Sequence, residues 1–196
     1  MTIITLPSTI RIGRQSIGQR RYDIAEVSDI TGAQAVRLFA PPRWTMLLAG
    51  MQAMDMAAAG LWEATLMQLR GGVNVLAAWD AGKPAPLGTM RGAPTLSAIA
   101  AAGATSIAIT GGTANSTLLP GDWLGIGAGV GTSQVVKVTA QITLSALGAG
   151  DVSIEPPIRA ALSLGSAVVW DRPSAYYRAE GSGFAWDNIP GMLAAG

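Results

Sequence analysis

The chain has 196 residues, 13 Lys and Arg against 12 Asp and Glu, a formal net charge of +1, and neither histidine nor cysteine. Without those two residue types there is no Ser-His-Asp or Cys-His catalysis, no Cys/His zinc site and no CxxC redox chemistry. Charged residues make up 13%, against about 25% in an ordinary soluble domain, which points to surface hidden against neighbours. At this length a core can form without staples, as one large β domain or two small ones.

Thr2–Leu6 and Thr9–Ile12 are short β-branched runs broken by Pro7. The opening MTIITLPSTIRIGRQ places no basic region ahead of an apolar stretch, so no signal peptide is expected. Arg11, Arg14, Arg20 and Arg21 are interleaved with Gly, Ser and Gln. They make no basic stripe of the kind nucleic acid requires, and read as a solvated or interface face. Val36–Phe39 and Trp44–Leu48 flank Ala40-Pro41-Pro42, a break expected to exclude one continuous central strand because proline cannot donate to a ladder.

A helix is predicted over 56–70. Asp55 is a good N-cap, and Ala58, Trp62, Thr65, Leu66 and Leu69 fall on one face. Arg70 and Gly71-Gly72 supply the stop. Val73–Trp79 then reads as a strand that ends in the turn-rich segment from Asp80 to Pro86.

Residues 92–170 hold five charged side chains, Asp122, Lys137, Asp151, Glu155 and Arg159, where residues 1–91 hold nine basic and six acidic ones. Short strands are predicted at Ser106–Thr110, Asp122–Ile126, Gln134–Val138, Val152–Ile154 and Ala167–Trp170, separated by Gly- and Pro-rich turns. That spacing suggests a small sandwich or closed barrel. Ile158–Leu162 reads as a short helical turn or a loop. The apolar run Ala98–Ala104 is seven residues, far short of the roughly 20 a membrane-spanning helix needs. The fold class expected is mainly β, with residues 1–91 and 171–196 as one domain containing the helix and 92–170 as an inserted β-barrel or β-sandwich.

Candidate chemistry is sparse. The Gly125–Gly131 run fits neither the dinucleotide fingerprint nor a Walker loop, since the third Gly and the Gly-Lys-Ser/Thr end are missing. It reads as a flexible turn. Asp122 with Asp151 or Glu155 is the best acid pair on offer, but no spacing holds such a pair at working distance, and Asp122 reads better as a turn cap after Pro120-Gly121. No DxDxD cluster offers an oxygen-only metal site. Trp44, Trp62, Trp79, Trp123, Trp170 and Trp186 read as core or subunit interface before they read as a sugar-stacking platform. Asn115-Ser116-Thr117 matches a glycosylation sequon by chance. No catalytic, cofactor or metal residue is expected.

Two stretches taken together carry a resemblance. One runs from Arg43-Trp44 through Leu61-Trp62-Glu63 to Arg70-Gly-Gly-Val-Asn-Val-Leu-Ala-Ala-Trp79-Asp80. The other joins Leu119-Pro-Gly-Asp-Trp-Leu-Gly-Ile126, Gln134–Val138, Val152–Arg159 and Val168-Val-Trp170. Over about residues 36–178 the chain resembles distal tail (tail-tip or baseplate ring) proteins of long-tailed bacteriophages and gene-transfer particles. The resemblance implies a ring-forming β-sandwich domain with one α-helix, plus a second small β domain. It further implies a homohexamer at the virion tail tip, assembled in the host cytoplasm, between the tail tube protein and the hub protein. Such proteins bring no catalytic residues to carry over. Binding of a carbohydrate or host surface, known for larger relatives, is the alternative it implies, and the short, charge-poor second domain speaks against it. Neither membrane nor specific nucleic acid is an expected partner.

Overall fold

The computed structural model describes residues 1–7, 9–10, 12–50, 55–127 and 133–180. It is mainly β, with one α-helix among the described residues. The first elements are β1 (Ile3–Thr5), β2 (Ile12–Val27), β3 (Gln34–Gly50), α1 (Met56–Gln68) and β4 (Val75–Ala78). The middle of the chain supplies β5 (Gly92–Leu96), β6 (Ser106–Gly112), β7 (Thr117–Leu118), β8 (Trp123–Ile126), β9 (Gln134–Val138), β10 (Ile142–Thr143), β11 (Gly150–Glu155) and β12 (Val168–Val169). β13 (Ala175–Tyr177) returns to the first sheet.

The long pair β2–β3 is a two-stranded antiparallel ribbon. The expected break at Pro41-Pro42 is absent, because the strand runs straight through it. Arg20 faces Arg43 and Tyr22 faces Ala40, so the two prolines oppose Arg21 alone in a bulge. A bulge leaves residues outside the ladder, and each ribbon strand has a free edge where a missing N–H costs nothing. The prolines therefore bend this strand without ending it. Of the run expected at Thr9–Ile12, Thr9 and Ile10 are not strand and Arg11 lies outside the described residues. Ile10 is buried in a loop, its amide donating to the Pro7 carbonyl at 3.1 Å, and β2 begins at Ile12.

α1 ends two residues before the expected Arg70. Asp55 caps its start, Oδ1 accepting from the Ala58 amide at 2.6 Å. At the other end Arg70, Gly71 and Gly72 all take positive φ (48°, 60° and 92°), a left-handed turn that the Gly pair permits and that closes the helix early. Trp62 and Leu61 pack from the helix onto a small core of Leu6, Ile10 and Ala78. The sheet behind it has order β1-β4-β13, with β1 parallel and β13 antiparallel to β4.

The middle region forms a six-stranded sheet of order β12-β8-β9-β11-β6-β5 that nearly closes into a barrel. Its ends meet where the Leu96 amide donates to the Ser166 carbonyl at 2.9 Å and Thr95 bridges Ala167. Inward residues alternate with outward ones, so Leu124, Ile126, Val136, Val138, Val152 and Ile154 fill the interior. Each such side chain contributes roughly 1.5–3 kcal/mol by leaving water. Ile158–Leu162 is a loop, pinned to the barrel by the Ala100–Leu162 bridge. No described helix is long and apolar enough to cross a membrane.

Candidate functional site

The acids singled out from sequence are not brought together. Asp122 is 2% exposed, and its carboxylate accepts the amides of Leu87 (2.7 Å), Gly88 (3.2 Å) and Leu119 (2.8 Å). It organises two turns and has no face left for a substrate. Asp151 and Glu155 lie on the outer side of β11, four residues apart and about 13 Å along the strand. No group of three or more His, Cys, Asp or Glu side chains among the described residues could hold a metal ion.

The indoles are dispersed as packing and hydrogen-bonding groups. Trp170 Nε1 donates to the Gly92 carbonyl at 2.8 Å, with the Arg91 guanidinium 5.0 Å from its ring. Trp62 packs on the small core, and the Arg172 guanidinium stands 5.6 Å from the Trp79 ring. Trp186 and residues 128–131 of the glycine run lie outside the described residues, as does Arg11. Asn115 sits in the β6–β7 turn with φ 53°.

Trp44 and Trp123 make the joint between ribbon and barrel. Their rings meet edge to face with centroids 4.8 Å apart. Trp44 Nε1 donates to the Val135 carbonyl at 2.7 Å, and Trp123 Nε1 donates to Asp80 Oδ2 at 2.9 Å. Lys137 Nζ lies 4.3 Å from the Trp123 ring. These contacts explain why β8 and most of β9 are buried on both faces: their inner residues fill the barrel, and Trp123 and Val135 on the outer face are covered by Trp44 of the ribbon.

Beside this joint opens a cleft of about 520 Å³, walled by Trp44, Tyr176 and Tyr177 and carrying Arg43 and Arg159. Gln134, itself buried, builds the Arg159 side. Its Oε1 accepts the Arg159 amide at 2.7 Å, and its Nε2 donates to the Pro157 carbonyl at 2.9 Å. Arg159 Nη2 reaches the Ser133 carbonyl at 3.2 Å. Partial burial, and then repulsion from Arg43, hold the Arg159 guanidinium below its ordinary pKa. Arg43 faces Arg20 across the ribbon, and the Tyr22 ring lies 6.0 Å and 5.8 Å from the two guanidiniums, offsetting a like-charge pair.

Neither Arg43 nor Arg159 has a carboxylate within 4.0 Å among the described residues. The cleft's Glu180 is instead 3.9 Å from Arg20. Two cations against an aromatic wall can hold an anionic group. Sequence reasoning passed over Arg43 and Arg159 because no local motif links them. The fold alone makes them neighbours.

No protein-family model matches the chain, and no curated protein matches it either.

Proposed function

We propose that this chain is a structural virion protein: a distal tail component whose copies close into a ring, a homohexamer, that joins a tail tube to the tail-tip hub. It works by fixed geometry and catalyses no reaction. In this reading the ribbon, the β1-β4-β13 sheet and α1 belong to the sandwich-type ring domain, and the barrel projects from it.

The ribbon carries the reading. A lone two-stranded hairpin is marginal in water, yet this one runs 16 and 17 residues per strand. Its outer half leaves Ile30 96% and Phe39 68% exposed. Surface of that kind is stable when a neighbour covers it. A closed ring supplies such a neighbour to every copy through one repeated head-to-tail contact.

Sedimentation-velocity mass and negative-stain imaging of the purified chain test the proposal. Closed rings of uniform diameter are expected. A compact monomer at every concentration reached overturns it.

A further inference from the structure

The ribbon tip and the arginine cleft are complementary in charge and in apolar character: residues 23–37 carry Asp23, Glu26 and Asp29 against Arg37, and the cleft carries Arg43, Arg159 and Arg178 against Glu180. Toward the tip, Glu26 and Asp29 are exposed and have no cation within 4.0 Å among the described residues, while Asp23 is paired with Arg21 at 3.1 Å. Ile30, almost wholly exposed, adjoins Asp29 in the turn that the Ser28 amide closes onto the Ala33 carbonyl at 2.9 Å. The cleft offers the matching pair: two cations lacking carboxylates, beside an aromatic wall.

A copy's tip cannot reach its own cleft. Arg43 lines the cleft midway along the ribbon, opposite Arg20, and β2 runs seven residues further to Val27 before the turn that holds Asp29. At about 3.3 Å per residue the strand end at Val27 stands roughly 23 Å along the ribbon, and the tip lies beyond it. The occupant must come from another molecule. A cleft of about 520 Å³ has room for a few side chains, such as an aspartate and an isoleucine.

We infer that the acidic ribbon tip around Asp29 and Ile30 of one copy seats in the Arg43–Arg159 cleft of the next copy, as the head-to-tail contact of the assembly. This rests on the ring reading above. The two surfaces differ, so each copy gives its tip to one neighbour and its cleft to the other, the head-to-tail kind of contact from which rings are built.

The chain has no cysteine, so introduced thiols report without background. Copies carrying Thr31→Cys at the tip are mixed with copies carrying Ser133→Cys at the cleft mouth and treated with a short bis-maleimide. A cross-link between the two is expected in the mixture, and none in either variant alone. Independently, Asp29→Lys and Arg159→Glu should each weaken self-association by roughly tenfold or more, and the chain carrying both should recover most of it. If rings form but neither reversal weakens them and no cross-link appears, this contact is wrong and the ring reading stands. If the unaltered chain forms no rings, both fail. A monomer that takes up inorganic phosphate at Arg43 and Arg159 also overturns the contact, because the cleft then serves a small anion.

Discussion

Asp122 shows how much one buried carboxylate can organise. It holds three amides from two separate turns, at 87–88 and at 119, so the cost of losing it is the cost of stranding donors away from water. Asp122→Ala should destabilise the chain by about 3 kcal/mol in urea unfolding, and Asp122→Asn, which keeps one acceptor, by less. An alanine variant as stable as the parent would contradict this. The turn-capping role could be read from Pro120-Gly121-Asp122, but the reach to Leu87 and Gly88 could not, because those residues are near only in the folded chain. Tyr177 is a second case. Burial, and then the Asp80 carboxylate, hold its phenol above the ordinary range. Since the folded pKa is raised, the stabilisation is complete below the unfolded value of about 10 and is lost as pH rises above it. Urea stability should therefore fall between pH 8 and pH 11 more in the parent than in Tyr177→Phe. Equal losses would remove Tyr177 from the account.

Among the elements, the ribbon and the barrel stand at opposite ends of local stability. The barrel strands enclose a filled interior and are hydrogen-bonded to neighbours nearly all the way around, whereas among the described residues no strand pairs with the outer edges of the ribbon, and its side chains are exposed. In the chain at low concentration, peptides over 22–37 should exchange amide hydrogens orders of magnitude faster than peptides over 134–138 and 150–155. Mass-spectrometric exchange at low concentration would show it, and equal protection would mean the ribbon is supported within one copy. The barrel has its own fixed point at Gly148, where φ is 67° and an added Cβ would fall on the Gly112 carbonyl oxygen. Backbone cannot yield there, so Gly148→Ala should cost at least about 3 kcal/mol. Gly103→Ala, at φ 85° with open space around it, should cost only the backbone strain, about 1 kcal/mol.

At the scale of the whole molecule, two cores with no residue in common are joined through the Trp44–Trp123 contact and the bond from Trp123 to Asp80. Cooperative unfolding depends on that joint. Trp44→Ala removes the edge-to-face pair and the donor to Val135, so the thermal transition should split in two, with the barrel transition close to that of the parent. Calorimetry would decide it, and a single transition lowered as a unit would show coupling through other contacts. The Arg43–Arg159 cleft belongs to the same joint, since Arg43 precedes Trp44 on β3 and Gln134, which holds Arg159, precedes Val135 on β9. Whatever docks in the cleft acts where the two bodies meet.

Local chemistry made several features legible from residue order: the Asp55 cap, the face from Trp62 to Leu69, and the short strands between glycine turns in the middle region. Each depends on neighbours within a few positions, where capping geometry, helical period and turn preference operate. The absence of His and Cys likewise bounded the chemistry before any fold was known. The course of β3 through Pro41-Pro42 was not legible, because a proline pair stops a central strand but not a bulged ribbon, and the partner strand settles which applies. Nor was the cleft, whose two arginines are set side by side by a buried glutamine and by the ladder between distant segments. Proximity of that kind arises from packing free energy summed over the whole chain, and no short window of sequence contains it.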